Sequence, residues 1–461
     1  MARYPSARLQ LSGHRFLMRR LERAVLLGES DADADPVRLQ SVSFYVGALL
    51  AVLGVAGCAL FGWIKPAAGL GDDSILMDRA SGALYVRVGA TVHPVMNLTS
   101  ARLITGVDDA PRQVAAADLA GVERGPLLGI PGAPAAIGPA LSAQESGWTV
   151  CDSPATTVIA GPLSSEGKTR ALPVDESVLV SSRSGSTYLL YNGSRALIDM
   201  TDAVTVRALH LDGRTPRPAS QALLNVIPEL PPIAAPVIPD RGSHGPLALP
   251  GFAVGDVFRV EQASATEYFV VLAGGVQRIG AVAADLIQFA AARPGADITA
   301  VAPSAVSDMP TLGILPIAEF PDRVGALLAD DVPVLCASWL AGKAALYAGS
   351  GLPLRETQVP IPLAQGDGAG AAVDAVFLPP GRSAYIGSTG AAAVTGSLVA
   401  DTGVRYPVAD TDAARVLGLP DHPEAAPWPL VTMLPSGPEL RRDAALLARD
   451  VQPSGPPGAG G

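Results

Sequence analysis

The chain has 461 residues, 49% of them apolar, with 49 glycines, 42 prolines and a net charge of −10. Seven arginines against five acids in residues 1–41 leave about −12 on the rest, a balance that disfavours nucleic acid or anionic lipid headgroups as ligands of the main body. Only one long uncharged apolar run occurs, which excludes a channel or transporter built from its own helices.

Residues 6–29 predict a helix from Ser12 onward, with Ser12 as its N-cap. Leu17, Leu21, Ala24 and Val25 fall on one face, while Arg15, Arg19 and Arg23 stand four residues apart on another. A basic amphipathic helix beside a membrane lies on anionic lipid, docks onto a partner, or only enforces topology. Docking is favoured for Gly13-His14-Arg15-Phe16, where a glycine and an aromatic interrupt simple amphipathicity. The 23 residues of Val42–Ile64 carry no charge and would span roughly 34 Å as a helix, enough to cross a bilayer. The run is too long and too far from the start for a cleaved signal peptide, and Lys65-Pro66 follows it in place of a small-residue cleavage site. It therefore predicts a single transmembrane anchor, with Tyr45 and Trp63 as interfacial aromatics. The arginine excess before it places residues 1–41 in the cytoplasm and everything after Lys65 outside.

Beyond the anchor, four stretches resemble one another: 75–104, 178–209, 257–290 and 397–419. The full pattern is a β-rich run, a Gly-containing turn, a second strand with an apolar pair, and a Thr/Ser/Ala-led short helix, the last two stretches chiefly repeating its ending. The pairs are Val92 and Val95, Leu197 and Ile198, Val276 and Ile279, and Val404 and Val408. An internal β-β-α repeat at irregular spacing argues against a solenoid of fixed period. The boundaries that follow are repeat domains at 65–110, 178–227, 251–294 and 371–452, and a central domain assembled from 111–177 and 295–370. A linker at 228–250 holds seven prolines in 23 residues and reads as an extended surface connection, and residues 453–461 form a disordered tail. The fold class is α+β.

Of the three cysteines, Cys58 lies in the anchor, while Cys151 and Cys336 fall on the predicted outer side, where disulfides persist. Each stands three residues from a tryptophan, Trp148 or Trp339. A Cys151–Cys336 disulfide packed against indole rings is expected, and closing so long a loop contributes roughly 5 kcal/mol in the chain-entropy account. A two-cysteine metal site or catalytic thiol is less favoured, because neither cysteine has a His or CxxC partner. The five histidines are scattered, and neither GxSxG nor HExxH occurs. No metal, cofactor or catalytic residue is expected. One near miss, Gly161 to Thr169, ends in Gly167-Lys168-Thr169 like a phosphate loop, yet five residues rather than four separate Gly161 from Gly167. Pro162 lacks an N–H, Glu166 places negative charge beside the anion, and Pro173 stops any following helix early. Gly161, Gly167, Lys168 and Thr169 are a weak nucleotide-binding candidate.

Seven motifs run almost the whole length: QLSGHRFLMRRLERA (10–24), DPVRLQS (35–41), HPVMNLTSARLI (93–104), GIPGAP (129–134), WTVCD (148–152), VLCASW (334–339) and MLPSGPEL (433–440). In order and topology they resemble EccB, the single-pass membrane component of type VII (ESX) secretion machinery of mycobacteria and related actinobacteria. The resemblance implies an elongated periplasmic region of four β-rich repeat domains around a central disulfide-linked domain, carried on an inner-membrane anchor. It also implies a structural role in protein secretion. The implied partners are an FtsK-like ATPase, a many-helix channel subunit, other membrane subunits of the complex and further copies of the chain. In the family the basic N-terminal segment contacts those partners, and Gly13, His14, Arg15, Phe16 and Arg19 match it. Family members are also described as ATPases, which makes a periplasmic nucleotide hydrolase the alternative reading, although the loop at Gly161 to Thr169 gives it no support.

Overall fold

The computed structural model describes residues 7–27, 36–64, 71–153, 155–246, 249–262, 265–291, 298–307, 309–368, 370–388 and 396–450. The chain divides into two units, Met1–Gly71 and Asp72–Gly461. The expected tail at 453–461 lies outside the described residues.

The first unit contains α1 (Ala7–Leu27) and α2 (Pro36–Ile64). Helix α1 starts before Ser12, so Ser12 is not its N-cap. Its hydroxyl instead donates to Leu9 O at 3.0 Å, the back-bond that serine makes inside a helix. Helix α2 opens on Pro36, whose missing N–H and fixed φ suit a first helical turn. The helix therefore begins ahead of the uncharged run, and its 29 residues measure about 44 Å. Within it Gln40–Leu60, with mean hydropathy 2.1, is long and apolar enough to cross a membrane.

The second unit opens with a meander of β1 (Ile75–Asp78), β2 (Leu84–Val88) and β3 (Thr91–Val95). The chain crosses through α3 (Leu98–Thr105) to β4 (Arg112–Val114), which runs parallel to β1, and back through α4 (Ala116–Ala120) to β5 (Leu127–Leu128), parallel to β3. It then forms β6 (Trp148–Ser153), β7 (Ala155–Ala160) and β8 (Thr169–Ala171). A second unit of the first plan follows: β9 (Glu176–Ser181), β10 (Thr187–Tyr191), β11 (Ser194–Ile198), α5 (Ala203–Ala208), β12 (Arg217–Pro218), α6 (Gln221–Val226) and β13 (Glu229–Leu230). The third has β14 (Val257–Glu261), β15 (Thr266–Leu272), β16 (Gly275–Ile279), α7 (Ala281–Phe289), β17 (Thr299–Val301) and a 3₁₀ turn, Pro303–Ala305. Its last return is a single parallel bridge, Val276 to Thr311.

After β18 (Ala326–Leu327), the strands β19 (Val334–Leu340), β20 (Lys343–Gly349), β21 (Ile361–Pro362) and β22 (Ala375–Phe377) join β6 to β8 in one sheet, ordered β21-β22-β7-β6-β19-β20-β8. The fourth repeat is β23 (Ser383–Ser388), β24 (Ser397–Ala400), β25 (Arg405–Pro407), α8 (Thr411–Val416), β26 (Glu424–Ala426) and α9 (Trp428–Val431), closed by parallel bridges at Ser436 and Leu440. Finally α10 (Arg442–Ala445) leads to β27 (Ala448–Arg449), which pairs with β5 of the first repeat.

The repeat is thus βββαβ with a second return, fuller than the expected β-β-α. The β-rich run divides into two strands, and two short returns follow the helix, one on each edge of the meander. Side chains of Asn97, Asp202 and Asp410 cap α3, α5 and α8. Helix α7 has Gly280 at its N-cap, which has no side chain to offer, and Ala281 N and Val282 N donate to the carbonyl of Asp322 instead.

Sequence boundaries shift accordingly. Residues 112–128 complete the first repeat's sheet, 299–301 the third's, and the central sheet continues through β22 beyond residue 370. The segment 228–250 runs mostly exposed, as expected of a surface connection, but it is pinned at intervals: Ile233, Ile238 and Leu249 are buried in three successive cores.

Helices pair the repeats: α3 meets α8, α5 meets α7, and α6 meets α9. Repeat one thus meets repeat four, and repeat two meets both three and four. The largest core joins Trp148, Val150 and Leu335 of the central sheet to Val178 and Leu223 of repeat two and Ile386 and Leu430 of repeat four. A strap ties repeats two and three: Tyr191 Oη donates to Glu319 O at 2.8 Å, and β18 pairs with β9.

Candidate functional site

On α1 the described side chains from Leu9 to Leu26 are exposed. At about 100° per residue, Arg15, Phe16 and Arg19 share one side of the helix with Arg23, while His14 falls on the opposite side. The helix thus brings together three of the five expected docking residues. Gly13 is the fourth, lying between the two sides, and a Cβ there would meet open space. A mid-helix glycine costs about 1 kcal/mol relative to alanine, and none of the described residues fills the gap that it leaves.

The expected disulfide is present. Cys151 and Cys336 face each other across β6 and β19, with S–S 2.05 Å and Cα–Cα 4.0 Å. Its surroundings differ from expectation. Trp148 and Trp339 are also directly paired, but three residues is an odd spacing, so strand alternation puts the indoles on the other sheet face. The tryptophans enter the core shared with repeats two and four, whereas the disulfide packs with Ile159, Leu354 and Phe377.

The segment Gly161 to Thr169 connects β7 to β8, so a strand, not a helix, follows Lys168. Several of its amides are already used: Ser164 N bonds Pro353 O, Gly167 N bonds Ser164 O, and Glu166 N bonds Ser164 Oγ at 3.1 Å. Lys168 Nζ pairs with Glu356 at 3.5 Å, and Arg355 with Glu166 at 3.5 Å. A phosphate cradle needs convergent free N–H groups at a helix start, and this connection crosses from β7 to the far edge of the sheet at β8 with no helix start in it.

The remaining motifs fasten the repeats. Asn97 caps α3 through Ser100 N at 2.8 Å and donates Nδ2 to Ile130 O at 3.1 Å. Ser100 Oγ accepts from Ile130 N at 2.9 Å, and Thr99 Oγ1 donates to Pro134 O at 2.7 Å. Residues 93–104 and 129–134 are therefore two halves of one lock.

Sequence reasoning missed Asp152, whose neighbour Cys151 drew the attention. Asp152 accepts from Ser220 N at 2.7 Å and Thr156 Oγ1 at 3.3 Å, which bonds the central sheet to the start of α6. Burial pushes its carboxyl above the usual range despite these bonds and the nearby Arg217, whose own pKa burial lowers. Position 152 inside WTVCD was the available signal. Among the described residues no group of three or more His, Cys, Asp or Glu side chains is placed to hold a metal. A pocket lined by Tyr191, Leu209 and Leu327 has about 20 Å³, room for one water.

A family model described as type VII secretion system ESX-1, transport TM domain B, matches residues 3–454. An ESX-3 secretion system ATPase, EccB3, of Mycolicibacterium smegmatis is 38% identical over 477 residues, covering 97% of this chain and 92% of the relative. The ESX-2 counterpart EccB2 of Mycobacterium tuberculosis is 35% identical, covering 97% and 96%. Among solved structures, a chain of an intact ESX-5 inner membrane complex matches with TM-score 0.73 and 32% identity over 100% of this chain and 99% of that one. An EccB3 dimer from the ESX-3 core complex matches with TM-score 0.72 and 34% identity, over 82% and 100%.

Proposed function

The chain belongs to the EccB family of type VII secretion membrane components, and from that premise we propose how it works as a structural subunit of an ESX inner membrane complex. The arginine-rich N-terminus lies in the cytoplasm and the repeat body in the periplasm, joined by α2. Arg15, Phe16, Arg19 and the open flank of Gly13 dock onto an FtsK-like ATPase and the membrane subunits around it. The repeats associate with further copies of the chain, and the disulfide sheet keeps each copy rigid while the partner motor supplies energy. The observation that carries this reading is the likeness over 100% of the chain to a subunit of an intact inner membrane complex. The exposed docking face on the helix that precedes the anchor in the chain agrees with it.

Gentle detergent extraction, a native gel and mass spectrometry of the band test it. The expected result is a very large particle containing a cytoplasmic-domain ATPase, lost in a Phe16→Ala/Arg19→Glu variant whose repeat body still melts normally. Migration as a lone monomer or dimer would refute it. A second reading, nucleotide hydrolysis, rests on the relatives' names as ATPases. Purified protein should then turn over ATP, and Lys168→Ala should abolish it.

A further inference from the structure

We propose that the side of α1 opposite its arginine stripe lies on the anionic phospholipid surface of the membrane that α2 crosses, leaving Arg19 and Phe16 turned away from lipid. The inference rests on the reading of α2 as a membrane anchor and adds a second contact to it. Leu11, Leu17, Met18, Leu21 and Val25 are 52%, 57%, 54%, 59% and 82% exposed, so each keeps more than half its surface uncovered by this chain. At about 100° per residue they cover an arc of about 120°, the width of a face that lies on a surface rather than a narrow coiled-coil seam.

Three observations select lipid as the occupant. Only eight residues, 28–35, separate Leu27 from Pro36, and at about 3.6 Å each they reach about 30 Å at most. The C-terminal end of α1 is therefore held within that distance of the start of α2. Its charge is complementary: residues 7–27 hold five arginines and one glutamate, while Glu29, Asp31, Asp33 and Asp35 lie in the connector. Arg20 flanks one edge of the apolar arc, where its long side chain reaches phosphates while its stem covers apolar surface; at the other edge Glu22 stands next to Arg15, which stays with the docking side. The apolar arc is also graded. Gln10 and His14 interrupt it in the first half, and the half nearer the anchor, Leu17 to Val25, is uninterrupted. A helix of this kind rests in the plane of the headgroups with its apolar side in the acyl boundary.

The test uses the full-length chain in vesicles of phosphatidylcholine with about one third phosphatidylglycerol. Cys58 is the free thiol among the described cysteines, so an environment-sensitive fluorophore on it reports whether α2 is inserted. The same label goes on Leu21→Cys and Ser12→Cys, each in a Cys58→Ser background. Lipid-borne nitroxide should quench position 21 about threefold more than position 12, with the contrast at least halved in phosphatidylcholine alone. Equal quenching of both by aqueous iodide would overturn the proposal. Shielding of position 21 from iodide and nitroxide alike would assign the face to another protein surface, and an unchanged contrast without phosphatidylglycerol would overturn the anionic assignment. Loss of lipid quenching at Cys58 would instead remove the anchor reading itself, a failure separate from that at position 21.

Discussion

Repeats two and three follow one plan, yet they seal the second face of the sheet differently. In repeat two, Leu179 and Leu189 face α5 and α7, while Val178, Val180 and Leu190 face the disulfide sheet. In repeat three, Val257 and Val270 face α7, but no central sheet covers the other side. There Phe258 stacks on Phe269 at 5.5 Å and meets Phe252 edge-on at 5.5 Å, with Leu249 and Met309 closing over them. On the shared face the central sheet supplies the large rings, Trp148 and Trp339, to the aliphatic side chains of repeat two, whereas repeat three supplies its own. The difference locates stability: shared for repeats two and four, private for one face of repeat three.

The largest test breaks the shared side. Replacing Cys151 and Cys336 by alanine should cost about 5 kcal/mol, since their separation of 185 residues makes the released loop long, and measured losses of this type run lower. Hydrogen exchange should rise in β6, β19, β9 and β23 and stay low around Phe258. The converse variant, Phe258→Ala, should cost about 3–5 kcal/mol and raise exchange in β14 to β16 alone; spreading to β6 would dissolve the contrast. Hairpin tips give a finer comparison. Gly193, at φ 73°, abuts Ala344 O of the central sheet, so a Cβ there collides, whereas Gly89, at φ 64°, faces open space. Gly193→Ala should cost about 2–3 kcal/mol and Gly89→Ala about 1 kcal/mol by chemical denaturation, because only the first adds a clash to left-handed strain. The smallest effect is a pH slope. The folded state holds the Asp152 proton more tightly than an ordinary carboxyl does. Its contribution is therefore favourable below the usual Asp range and is lost as pH rises through the raised value. Asp152→Asn should flatten that fall in melting temperature, and an unchanged slope would show that Asp152 does not titrate as argued.

Much of this plan was legible. Strand, glycine turn and capped helix recur because Asn97, Asp202 and Asp410 are the residues that helix starts demand. The returns β4 and β12, of three and two residues, carry no periodicity to read. Ile233 and Ile238 looked like linker because neighbouring prolines signal extended chain, which a core accepts as readily as solvent does. Of the candidate site, the arginine stripe on α1 followed from spacing alone. Asp152 could not be found that way, because its partner Ser220 lies 68 residues further on.

The closing strand β27 has a consequence for synthesis. Arg449 Nε reaches back 320 residues to Gly129 O at 3.2 Å, and the first repeat's core includes Tyr385, Leu398, Leu417 and Leu440. The part of the body made first is therefore completed last, after the ribosome has finished the fourth repeat. Until then it waits with an unpaired β5 edge and an uncovered α3, the open template that invites wrong partners. A chain that stops short of residue 440 keeps its earliest repeat in that unfinished state, so termination near the end is felt at the beginning.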